Sequence, residues 1–186
     1  MQSMTYYGGT HLAESFRTVR RNTLKIAEEI PEEQYGFKAA SDARSVAQLL
    51  THIGLIHRLP QQVHGVEKRT TLEGFNFPAF MQQLAAEEQT PRSKSAIIDI
   101  LKRDGEAFAA WLEGLSENFL REEVTGPPGT QIPTRTRFEM LLSPKEHEMH
   151  HRAQLMLMQR MLGITPHMTR DMTARMESAR QASQSR

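Results

Sequence analysis

The sequence contains no cysteine. That excludes a disulfide scaffold, a thiolate metal site and a cysteine nucleophile. It also lacks a charge excess, with 23 basic residues against 22 acidic ones and a formal net charge of +1. Such a balance supplies no strong field, so neither nucleic acid nor an anionic membrane is an expected partner. The local basic run Arg17, Arg20 and Arg21 reads as the solvated side of a helix. No apolar run reaches the roughly 18 residues that a membrane span needs. The first residues, MQSMTYYGGTHLAESF, lack the apolar core of a signal peptide. A cytoplasmic protein is the expectation. Sustained alternation of the kind that marks strands and hairpins is missing as well.

What remains is a chain of 186 residues, 38% hydrophobic and 24% charged, enough for one domain with a sizeable core. Four segments carry helical periodicity. The first runs from about Thr10 to Ile30, where Leu12, Phe16, Val19, Thr23, Ile26 and Ile30 recur every three or four residues and Pro31 ends the run. The second begins near Asp42 or Ser45 and ends near Leu59, with Val46, Leu49, Leu50, Ile53 and Ile56 as its stripe; the following QQVHG can add a turn. A short helix is predicted over about Ala79 to Gln89. Thr90-Pro91 opens the third long helix, with Ile97, Leu101, Phe108, Trp111, Leu112 and Leu115 on one side. Residues 121–134 hold Pro127, Pro128, Gly129 and Pro133 and read as a loop. The fourth helix is predicted from about Arg135 to Leu162, stopping at Gly163. Inside it, Ser143-Pro144-Lys145-Glu146 has the form of a helix start, so this helix either kinks at Pro144 or begins there. Four such helices predict an all-α four-helix bundle over residues 1–165. Residues 166–186 form a polar extension in which Met168, Met172 and Met176 fall four apart, either a helical arm for a partner subunit or a frayed tail.

The histidines carry the chemistry. Among eight of them, His147 and His151 stand four apart in EHEMHHRAQL, which on a helix puts both imidazoles on one face. Their stripe, through Met140, Met158 and Leu162, is otherwise apolar. Burying two imidazoles costs free energy unless each finds a partner, and a divalent cation would satisfy both. His52, three residues after Leu49, is the best third ligand. His57 lies about 140° around the helix from His52 and His150 about 100° from His151; both read as non-ligands. A single histidine on an apolar stripe is most often a hydrogen-bonded core residue, whereas an inward-facing i, i+4 pair is a stronger signal.

The stretches SVAQLLTHIG and EHEMHHRAQLMLMQRMLGI together resemble the two signature segments of the DinB/YfiT-like family of metalloenzymes, over roughly residues 10–165. The resemblance implies an up-down-down-up bundle, commonly dimeric. It implies a divalent metal, nickel or zinc, held by His52, His147 and His151. It further implies a metal-dependent transferase or hydrolase, in several relatives thiol-dependent, acting with a low-molecular-weight thiol on a small electrophilic substrate.

Three neutral imidazoles leave the charge of a divalent ion uncompensated and coordination positions open, as in catalytic sites. Gln154, one turn from His151, is a candidate for a hydrogen bond to a metal-bound group, or an ordinary polar helix residue. Two rival readings stand beside this one. His147-Glu148-Met149-His150-His151 matches the H-E-x-x-H of zinc proteases, although the chain lacks their extended motif and strands. A non-catalytic, metal-stabilised dimeric stress-response or binding module is the other.

Overall fold

The computed structural model describes residues 7–184. The first six residues, on which part of the leader reading rests, and the last two of the tail lie outside that range. The main helices are α1 (Gly9–Glu29), α2 (Val46–Ile56), α3 (Phe77–Gln89), α4 (Lys94–Glu113), the short α5 (Glu117–Arg121), α6 (Arg137–Met161) and α7 (His167–Gln184). Beyond α2 the chain stays helical through Arg58–Pro60 and a π-helical turn, Gln61–Val66. Local chemistry sets the starts. Ser45 and Gln48 form a reciprocal capping box for α2, Ser93 caps α4 through the amide of Ala96, and Thr136 with Glu139 boxes α6.

Helices α1 and α2 occupy opposite corners of the bundle, each packed against both α4 and α6. The pairs in contact fix the directions. Along α1, Gly9 meets Leu112 and Arg20 meets Leu101, so α4 runs antiparallel to it; Arg20 meets Glu148 and Glu29 meets Gln159, so α6 runs parallel. Gly54 lies against Leu101 and Gly65 against Trp111, which makes α2 parallel to α4. The result is the expected up-down-down-up bundle. Its core has two apolar clusters, one built on Ile26, Leu50, Ile53, Leu101 and Leu155, the other on Phe16, Phe108, Leu112 and Leu141.

Between them lies a polar group that helical periodicity alone did not reveal. Arg20 is not solvated, as the basic run suggested, but 5% exposed. Its Nε and Nη2 donate to both carboxylate oxygens of Glu148 at 2.9–3.1 Å, and Nη1 donates to the Leu101 carbonyl at 2.8 Å. Its guanidinium also stacks over Phe16, 5.0 Å from the ring centre. Gly105 makes room for it: a Cβ there would collide with Nη1.

Other departures from the sequence reading are local. Helix α6 starts at Arg137 and runs through Pro144, because the Thr136 cap acts well before the proline. Helix α4 begins at Lys94, three residues past Pro91, because Ser93 supplies the cap. The proline-rich loop is clasped at its base by a two-residue antiparallel ribbon, β1 (Glu123–Val124) with β2 (Arg135–Thr136). The tail forms α7, with Met172 and Met176 exposed. Among the described residues no helix is long and apolar enough to cross a membrane.

Candidate metal centre

His52 sits mid-way along α2 on the stripe of Leu49 and Ile53, and His147 and His151 project from adjacent turns of α6. Because α2 and α6 pack against each other, the three rings meet. His147 Nε2 lies 3.3 Å from His52 Nε2 and 3.2 Å from His151 Nε2, and ligand atoms of all three fall within 4.8 Å of one another. Two nitrogens each about 2.0–2.1 Å from a tetrahedral ion stand about 3.3–3.4 Å apart. The observed spacings fit that requirement.

Hydrogen bonding on the far side of the rings makes the same point by proton count. His52 Nδ1 faces Glu88 Oε2 at 3.2 Å, and His151 Nδ1 faces Gln154 Oε1 at 2.7 Å. Both partners accept, so in a neutral ring at either position Nδ1 carries the proton and Nε2 presents a lone pair. Those lone pairs converge on His147 Nε2, which has at most one proton to give. Two lone pairs and one proton leave an acceptor unmatched; a cation among the three satisfies all of them. Burial and the neighbouring imidazoles push His147 down to about 4, and burial lowers His151 as well, so both are neutral at pH 7.

Glu88 had no signature in the sequence. It comes from α3, is buried, and takes 2.7 Å from Arg44 Nε in addition to its contact with His52. Burial alone would raise its pKa, but the hydrogen bonds from His52 and Arg44 hold it below the ordinary carboxylate range. Helical periodicity assigns a face within one element and says nothing about which residue of a separate short helix lands there. His57 and His150 stay outside the cluster, as their helical angles required. His57 is buried beside Phe16 and Phe108; His150 is exposed. Glu148, the base of the protease reading, is 1% exposed and committed to Arg20. It is not available as a general base, which removes that reading.

Two clefts reach the three histidines. One, of about 660 Å³, is lined by polar and apolar groups in near-equal share and includes Arg44, Glu88, His151 and Gln154. The other, of about 600 Å³, is mainly apolar and includes Ile56, Val63, Phe75 and Met81, with His147 in its wall.

Solved structures share the bundle. A DinB-like protein (YjoA) from Bacillus subtilis is 24% identical, covering 83% of this chain and 92% of that one, with a TM-score of 0.60. YfiT from Bacillus subtilis, described as a probable metal-dependent hydrolase with an unusual four-helix bundle topology, is 15% identical over 89% of this chain and 93% of its own, with a TM-score of 0.65. The colibactin self-resistance protein ClbS, crystallised with double-stranded DNA, is 16% identical over 84% and 98%, with a TM-score of 0.61. That complex corrects the exclusion of nucleic acid drawn from net charge: a protein of this fold does take up a duplex, since phosphate contacts depend on where cations sit rather than on their sum. The homodimer and the low-molecular-weight thiol find no support in these likenesses. No curated protein is significantly similar to the chain. The sequence pattern of one family matches residues 1–184, and with the shared bundle it places this chain in the DinB family.

Proposed function

We propose that His52, His147 and His151 hold one divalent ion, zinc or nickel, and that the protein is a metal-dependent hydrolase or group-transfer enzyme. The observation that carries this is the meeting of three imidazole Nε2 atoms, two of them fixed as lone-pair donors by Glu88 and Gln154. An ion held by three neutral imidazoles supplies Lewis acidity at its remaining coordination positions. The chain's own residues do the rest. Glu88 sets the tautomer and orientation of His52, and Arg44 in turn anchors Glu88. Gln154 does the same for His151. Clefts beside His147 and His151 favour a catalytic over a purely structural role, because a structural site closes its coordination shell with protein groups. The likeness to YfiT supports the hydrolase reading at the level of fold.

Elemental analysis of the purified protein tests the assignment. About one equivalent of metal is expected in the parent protein and almost none in His147→Ala. Equal content in the two would remove the site. Turnover of ester, amide and group-transfer substrates, lost with the metal and regained on its return, separates an enzyme from a binding module.

A further inference from the structure

Several irregular features converge at one point away from the three-histidine centre. The π-helical turn Gln61–Val66 carries His64, which is 1% exposed. Single π turns that interrupt helices are frequent at functional sites. Two residues on, Lys68 adopts a positive φ of 48°, a conformation that costs a non-glycine residue energy. Arg137, at the start of α6, is also 1% exposed and is held there by four interactions. It pairs with Glu122 at 2.9 Å, donates to the carbonyl of the strained Lys68 at 3.2 Å, lies over Phe119 at 4.5 Å, and places Nη1 3.0 Å from His64 Nδ1.

The last contact has one reading. A guanidinium has no acceptor, so His64 Nδ1 must accept and the ring's proton must sit on Nε2. Burial and the Arg137 charge push His64 down to about 4, so it is a neutral donor at pH 7. The same ring lines the apolar cleft that reaches His147. Apart from the imidazoles, most of that wall is hydrophobic: Leu59, Val63, Leu72, Phe75 and Met81 among others. An apolar cleft of about 600 Å³ with few polar groups has the size and lining of a small-molecule site.

Resting on the metal-site reading above, we propose that this cleft binds a small neutral molecule with an apolar body and one hydrogen-bond-accepting oxygen. His64 Nε2–H is the donor that fixes that oxygen within the cleft whose wall also holds His147. His64 thereby selects carbonyl-bearing ligands over hydrocarbons of the same shape.

A matched pair of probes tests this: 4-methylacetophenone and its hydrocarbon counterpart p-cymene. Binding to the full chain is followed by calorimetry and by the 15N shifts of the His64 ring, on protein as purified and again after chelation. The chelated sample separates failure of the cleft from failure of the metal site. The ketone is expected to bind about threefold to tenfold more tightly than p-cymene, the share of one hydrogen bond, and to shift His64 Nε2. In His64→Met, which keeps a weak acceptor for Arg137 and carries no donor, the preference should vanish while p-cymene still binds. No binding of either probe, no preference in the parent protein, or a preference that survives in His64→Met would each overturn the proposal. The shift of the parent's His64 resonance, present or absent, decides the matter even if the variant does not fold.

Discussion

Neighbouring residues on α6 end in opposite kinds of polar environment. Glu148 meets Arg20 in a closed pair, both nearly fully buried, every charge matched and the guanidinium further bonded to backbone carbonyls. His147, one residue earlier, faces two imidazoles with more lone pairs than protons and stands beside an open cleft. The closed pair joins α1 to α6 and gives the interior a register. The imidazole cluster is left with an unmatched lone pair. A polar group satisfied by protein is architecture; one the protein leaves short is a place for something else.

Breaking the closed pair should give the largest change in stability. Arg20→Met strands a buried carboxylate and should lower unfolding free energy by about 3–5 kcal/mol, read from urea denaturation. Pairing it with Glu148→Leu should restore much of the loss. Metal content should survive in the folded double variant; its disappearance would mean the two regions are not separable. The second contrast is Glu88→Gln. It removes a charge from behind His52 and should weaken metal affinity by about 10–100-fold, measured by competition with a chelating dye. Gln154→Leu should act in the same direction more weakly.

A third contrast concerns acid. Burial pushes His57 down to about 3 and His64 to about 4, with the charges of Arg20 and Arg137 adding to it. Unfolded, both titrate near about 6.5. The unfolded chain therefore takes up protons first, so this stability is complete above about 6.5 and drains as pH falls toward 4. The Tm of the metal-free protein should decline between about pH 6.5 and 5, above the range where carboxylates dominate, and less steeply in His57→Phe. A flat profile would show that these rings are not held neutral.

Much of the bundle was legible because its apolar stripes repeat within single helices: Leu12, Phe16, Val19, Thr23, Ile26 and Ile30 are all buried as their spacing required. His52, His147 and His151 could be picked out by the same rule, since each interrupts such a stripe. Partners from other elements were not legible. Arg20 looked like one more surface cation, and Glu88 like one acid in a polar helix. Only the packing of α1 on α6, and of α3 on α2, reveals what they meet. The β1–β2 clasp and the π turn depend on pairings across the fold that no local pattern encodes.

The separation of the ligands along the chain has a consequence for how the protein matures. His52 and His147 are 95 positions apart, so the set cannot close until both long helices have been made and docked. Bringing such distant segments together is among the slower events of folding. During synthesis an emerging chain can offer an ion His52 alone, and later the loose i, i+4 pair of α6. On the proposed metal site, tight retention of an ion would belong to the finished molecule alone, and cellular metal occupancy would count only those copies that have completed assembly.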